Sequence, residues 1–125
     1  MEKKKILVVD DEESFCQLVE LNLEETGEYE VRTETKGTKA LDSAREFRPD
    51  LILLDIMMPD VSGDDVAQLI ISDVTTKDIP VVFLTAIVKE HEVADSDGII
   101  GGHPFLAKPV TAEKLIDCIE RNIKK

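Results

Sequence analysis

Apolar and polar positions alternate along this chain in blocks, and the block order predicts the fold. Ile6-Leu7-Val8-Val9 is a continuous aliphatic run that stops at acids, the pattern of a strand covered on both faces. From Glu13 to Thr26 the period changes to three and four, with Phe15, Leu18, Val19 and Leu23 on one helical face and Gly27 as a stop. Tyr29-Glu30-Val31-Arg32-Thr33 alternates as a strand does, and Ala40, Leu41, Ala44 and Phe47 then stripe a helix ended by Pro49. Leu51-Ile52-Leu53-Leu54 repeats the buried-strand pattern up to Asp55, followed by a third helix with Val66, Ala67, Leu69 and Ile70. Pro80-Val81-Val82-Phe83-Leu84 is a fourth strand and Phe105-Leu106-Ala107 a short fifth. Leu115, Ile116, Ile119 and Ile123 stripe a final helix that Thr111 can cap.

Strands alternating with helices through short loops specify an α/β protein with a parallel sheet and helices on both faces. A doubly wound five-stranded sheet in the flavodoxin-like order 2-1-3-4-5 suits this length. Residues 89–103, KEHEVADSDGIIGGH, carry three glycines and no sustained stripe, so the fourth helix is expected to be short or irregular. One domain over residues 1–125 is expected, since 125 residues bury a single core.

Charge narrows the function classes. Fifteen Lys and Arg against 27 Asp and Glu give 15 − 27 = −12, which disfavours direct nucleic-acid binding. No apolar run approaches the roughly 20 residues of a bilayer span, and no membrane insertion or signal peptide is expected. Cys16 and Cys118 lie in helical patterns and read as reduced core thiols of a cytoplasmic protein.

In an open parallel sheet the loops after the strands' carboxyl ends form the ligand crevice. Those ends here carry Asp10-Asp11-Glu12, Asp55, Thr85 and Lys108-Pro109. Carboxylates about 4 Å apart repel by roughly 4 kcal/mol at an effective dielectric near 20, so the cluster needs a counter-charge. Mg²⁺, with Mn²⁺ as the alternative ion, suits an all-oxygen site that leaves positions open for phosphate oxygens, and Lys108 supplies a second cation. Thr85 adds a hydroxyl donor. The set reads as phosphoryl chemistry with a carboxylate nucleophile, for which Asp55 on the middle strand is the best candidate.

The sequence resembles the receiver domain of two-component response regulators, the CheY-like superfamily, over essentially its whole length. The matching residues are Asp10-Asp11 after ILVV, the run Asp55-Ile56-Met57-Met58-Pro59-Asp60-Val61-Ser62-Gly63, the pair Thr85-Ala86, and Phe105-Leu106-Ala107-Lys108-Pro109. The resemblance implies that Asp55 accepts a phosphoryl group from a sensor histidine kinase or histidine phosphotransfer protein. It implies that Asp11, Asp55 and the Met57 backbone carbonyl bind Mg²⁺, with Asp10 helping through water, and that Thr85 and Lys108 contact the phosphoryl group. Phe105 takes the place of the aromatic switch residue that rotates as Thr85 moves, and Lys108-Pro109 is a candidate cis peptide. It further implies a signalling phosphoacceptor rather than a turnover enzyme, catalysing only its own phosphorylation and dephosphorylation.

One departure stands out. Gly101-Gly102-His103-Pro104 replaces the family's usual approach to the fifth strand, beside the helix 4, strand 5 and helix 5 face where an output partner docks.

Two other readings compete. Haloacid-dehalogenase-like phosphohydrolases are similar in combining a strand-end Asp nucleophile, Mg²⁺, a hydroxyl and a Lys, which makes Asp10 the nucleophile, although Glu12 stands where that family has a second Asp. A receiver-like module that binds partners without phosphorylation is the third. Among the remaining side chains, Met57 and Met58 read as packing, His91 and His103 as surface histidines, and Asp95-Ser96-Asp97-Gly98 as a turn.

Overall fold

The computed structural model describes residues 2–85, 99–100, 103–108 and 110–123. Strands β1 (Lys4–Val9), β2 (Tyr29–Glu34), β3 (Leu51–Asp55), β4 (Val81–Thr85), β5 (Ile99–Ile100) and β6 (His103–Ala107) form a sheet in the order β2-β1-β3-β4-β6-β5. Between them run α1 (Glu13–Glu24), a 3-10 turn (Gly37–Lys39), α2 (Ala40–Phe47) and α3 (Gly63–Ser72), and α4 (Ala112–Asn122) follows. Five strands pair in parallel, so β2-β1-β3-β4-β6 is the expected 2-1-3-4-5 order. The short β5 is new, an antiparallel pairing of Ile99 with Pro104 and Ile100 with His103 at the edge beyond β6. The expected fourth helix, His91, the turn at Asp95–Gly98 and the Lys108-Pro109 peptide lie outside the described residues.

The aliphatic runs divide by parity, as the two-residue period of a strand requires. Ile6, Val8, Leu51, Leu53, Val82 and Leu84 face one side, packed with Cys16, Val19 and Leu23 of α1 and Leu115, Cys118 and Ile119 of α4. Leu7, Val9, Ile52, Leu54, Val81 and Phe83 face the other, against Ala40 and Ala44 of α2 and Val66, Ala67 and Ile70 of α3. Full burial of each large side chain contributes about 1.5–3 kcal/mol, whereas an exposed ion pair contributes at most about 1 kcal/mol. The core therefore holds the sheet, and the polar rim is free to specialise.

Two stripe positions are corrected. Leu18 and Leu69 are exposed, and Cys16 takes the inward place on α1 assigned to Leu18. Polarity drove those assignments, while the helix phase is set by the stronger anchors Val19, Leu23, Val66 and Ile70.

Helix ends follow local chemistry. Thr111 Oγ1 accepts from the Lys114 N–H at 3.1 Å, the expected cap of α4, and Ser62 Oγ caps α3 by accepting from the Asp65 N–H at 3.2 Å. α2 closes on Arg48 in the left-handed region, φ 53°, immediately before Pro49. Both cysteines are buried and unpaired, in agreement with the sequence reading.

Candidate functional site

Parallel register gathers the polar strand ends on one edge. Val9 stands beside Leu54, Asp55 beside Leu84, and Thr85 beside Ala107, so Asp10, Asp55, Thr85 and Lys108 emerge from four adjacent strands. Carboxylate oxygens of Asp10, Asp11 and Asp55 all lie within 4.8 Å of one another. Asp10 is fully buried and Asp11 exposed, so the cluster opens to solvent on one side.

Asp10 is fixed from several directions. Its Oδ1 accepts from the Glu12 N–H at 2.9 Å, its carbonyl accepts from the Cys16 thiol at 3.3 Å, and its N–H donates to the Glu34 carbonyl at 3.0 Å. Its Oδ2 faces the Lys108 Nζ at 2.5 Å. Burial, then the charge of Asp10, pushes the Cys16 thiol up to about 12, which leaves it a packing group rather than a nucleophile.

Asp55 is the perturbed acid of the site. Burial raises its carboxyl first and the Asp10 charge second, to about 7, while Lys108 and the Met57 N–H pull it down and a hydrogen bond with Asp11 adds to the rise. The ordinary value is 3.8, so without a cation this group resists ionisation near neutral pH. Three close carboxylates, one reluctant to ionise because burial and the Asp10 charge oppose it, fit a hard divalent cation.

Lys108 sits at the rim. Burial opposes its charge, but Asp10, Glu12 and Asp55 together outweigh that and hold the ammonium above its usual range. The Lys108 N–H donates to the Thr85 carbonyl at 2.8 Å, tying the end of β6 to the end of β4. Thr85 is buried at the edge next to Asp55, where a hydroxyl was expected. Phe105 is buried in β6 beside Phe83 and packs in the α2 and α3 side of the core.

The loop from Ile56 to Ser62 wraps the Asp55 end and folds back through a 2.7 Å bond from the Gly63 N–H to the Ile56 carbonyl. A Cβ on Gly63 would stand 2.2 Å from the Asp55 carbonyl oxygen and 2.7 Å from the Ile56 Cα. That glycine is the one residue type that lets α3 begin against the backbone of the candidate nucleophile. Met58 is buried, as the packing reading expected; Met57 is exposed, correcting that reading, because the turn points its side chain outward while its N–H reaches Asp55. His103 is half-buried rather than a surface group, its ring edge-on to Phe83 at 5.3 Å.

Two neighbours of Lys108 were not paired with it in the sequence analysis. Glu12 Oε1 lies 3.1 Å from its Nζ, and the Phe15 ring centroid lies 4.4 Å from it. Their signal was position, since both sit where the loop after β1 enters α1.

The chain belongs to the response regulator receiver domain family, whose model matches residues 6–120. It is 36% identical over 118 residues to the polar-differentiation response regulator DivK of Brucella anthropi, covering 94% of each chain. It is 37% identical over 113 residues to the DNA-binding dual master transcriptional regulator RpaA of Synechocystis sp., covering 90% of this chain and 46% of that protein. The chain thus spans nearly all of the first relative and under half of the second. Among solved structures it resembles chemotaxis protein CheY4 of Vibrio cholerae, with TM-score 0.82, 30% identity, and coverage of 96% and 98% of the two chains. The protein is a CheY-like receiver domain of two-component signalling, and neither the phosphohydrolase nor the phosphorylation-independent reading is favoured. No described helix is long and apolar enough to cross a membrane.

Proposed function

We propose that Asp55 is the phosphoacceptor of this receiver. The observation that carries the reading is the convergence of the Asp10, Asp11 and Asp55 carboxylates, with the Lys108 ammonium at their rim, on the carboxyl edge of the sheet.

The donor is a phosphohistidine on a sensor histidine kinase or a histidine phosphotransfer protein. An Asp55 carboxylate oxygen attacks phosphorus, an O–P bond forms as the P–N bond breaks, and the electron pair leaves on the imidazole nitrogen, which takes up a proton. The product is an acyl phosphate on the chain itself, so the protein acts as a signalling acceptor and not as a turnover enzyme. Asp11, Asp55 and the Met57 carbonyl would hold Mg²⁺, with Asp10 nearby. The ion, when bound, neutralises the carboxylates and the phosphoryl oxygens. Asp10 fixes Lys108 beside the reacting atoms, Lys108 offsets developing charge, and Thr85 donates its hydroxyl to a phosphoryl oxygen. Movement of Thr85 toward that oxygen and rotation of Phe105 would pass occupancy to a partner docked near β6 and α4 in the cytoplasm.

Incubation with acetyl phosphate tests the reading. The protein should gain one phosphoryl group with Mg²⁺ and none with excess chelator, and hydroxylamine should release it, as it does an acyl phosphate. A phosphoryl group that is stable to hydroxylamine, or uptake indifferent to chelation, contradicts it.

A further inference from the structure

The Lys108 ammonium has three N–H donors, and the structure engages its charge on several sides before any ligand arrives. Asp10 Oδ2 pairs with its charge from within without a hydrogen bond of its own, and Glu12 Oε1 accepts one N–H at 3.1 Å from the solvent side. The Phe15 ring, with its centroid 4.4 Å from Nζ, adds a cation–π contact. Glu12 and Phe15 flank the start of α1, and Lys108 arrives 96 residues later, so this cradle is a long-range feature of the fold. The two carboxylates differ in what replaces a lost partner. Asp10 is fully buried, whereas the Glu12 side chain is 61% exposed and water substitutes for the ammonium readily.

We propose that Glu12, aided by Phe15, is a positioning residue that holds Lys108 in the resting state and competes with the phosphoryl group for its ammonium. This rests on the reading of Asp55 above. To donate to an oxygen on Asp55, Lys108 gives up its more weakly held partner, so Glu12 biases the balance toward the empty site. An exposed pair of this kind shifts such an equilibrium about two- to fivefold.

The test uses beryllofluoride as the phosphoryl mimic at saturating Mg²⁺, with dissociation constants from amide NMR titrations. Glu12→Gln should bind it about two- to fivefold more tightly than wild type, with unchanged thermal stability. Glu13→Gln, a charge removal on the first turn of α1, should bind as wild type does. In a Lys108→Met background, Glu12→Gln should have no effect. The Lys108 side-chain ammonium resonance should also shift in ligand-free Glu12→Gln protein, a signature that an indirect structural effect does not give. Equal or weaker binding by Glu12→Gln, or tightening that persists without Lys108, overturns the competition. Wild-type protein that binds no beryllofluoride, while the ammonium resonance still responds to Glu12→Gln, sinks the Asp55 reading and the competition with it, and leaves only a structural ion pair.

Discussion

Gly63→Ala is expected to destabilise the protein by about 1–3 kcal/mol and to weaken Mg²⁺ binding in the same variant. The added Cβ would meet the Asp55 carbonyl oxygen at 2.2 Å, the Ile56 Cα at 2.7 Å and the Asp55 carbonyl carbon at 3.0 Å, all main-chain atoms that no rotamer change can clear. Either the start of α3 or the end of β3 has to move. β3 is buried on both faces and paired on both edges, so the strain concentrates in its last residue, the proposed acceptor Asp55, and in the following turn. Thermal unfolding and Mg²⁺ titration by amide NMR check both halves. Gly37 is the control for a clash against movable atoms, because its added Cβ would meet Val61 Cγ1 and Met58 Cε, both side-chain ends. Gly37→Ala is therefore expected to leave Mg²⁺ affinity closer to wild type. Unchanged stability and affinity in Gly63→Ala would show that the turn has slack the distances deny.

The second large effect is a pH dependence. In the metal-free fold the Asp55 carboxyl titrates near 7, raised by burial and by Asp10, against an ordinary 3.8 that applies once the chain unfolds. Below about pH 4 both states hold the proton and the site costs nothing. Between about pH 4 and 7 the unfolded chain sheds the proton while the folded one keeps it, so stability falls with rising pH, and above about 7 the loss is complete. The cost is on the order of 2–4 kcal/mol. Asp55→Asn removes it, so without metal the variant should be more stable than wild type at pH 8 by about that amount, with little difference at pH 4. Saturating Mg²⁺ should narrow the gap by stabilising wild type more. Denaturant unfolding at the two pH values, with and without the ion, gives all four numbers. A variant no more stable than wild type at pH 8, or more stable only at pH 4, contradicts the raised carboxyl.

The stronger the burial, the more of the structure could be read from the chain. Ile6–Val9, Leu51–Leu54 and Val81–Leu84 are apolar without interruption because both sheet faces cover them, and three such runs at parallel spacing leave little freedom in strand order. The site was legible for the same reason, since residues that end buried strands have only one crevice in which to meet. What escaped was short or depended on contact across the fold. The two-residue β5 has no period to detect, and its pairing with His103 and Pro104 exists only once β6 is in place. Leu18 and Leu69 fitted a helical stripe by polarity, yet the phase of each helix turned them to solvent. The cradle of Glu12 and Phe15 around Lys108 joins positions 96 and 93 residues apart, which no local pattern encodes. Gly63 read as the last residue of the matching run that begins at Asp55, while its close approach to the Asp55 backbone is a contact made only in the fold.

The most direct measurement is the intact mass of wild type and Asp55→Asn after identical incubation with acetyl phosphate and Mg²⁺. One added phosphoryl group on wild type and none on the variant is the predicted result. Equal uptake by both proteins, or uptake by neither under conditions where Mg²⁺ binds, contradicts Asp55 as the acceptor.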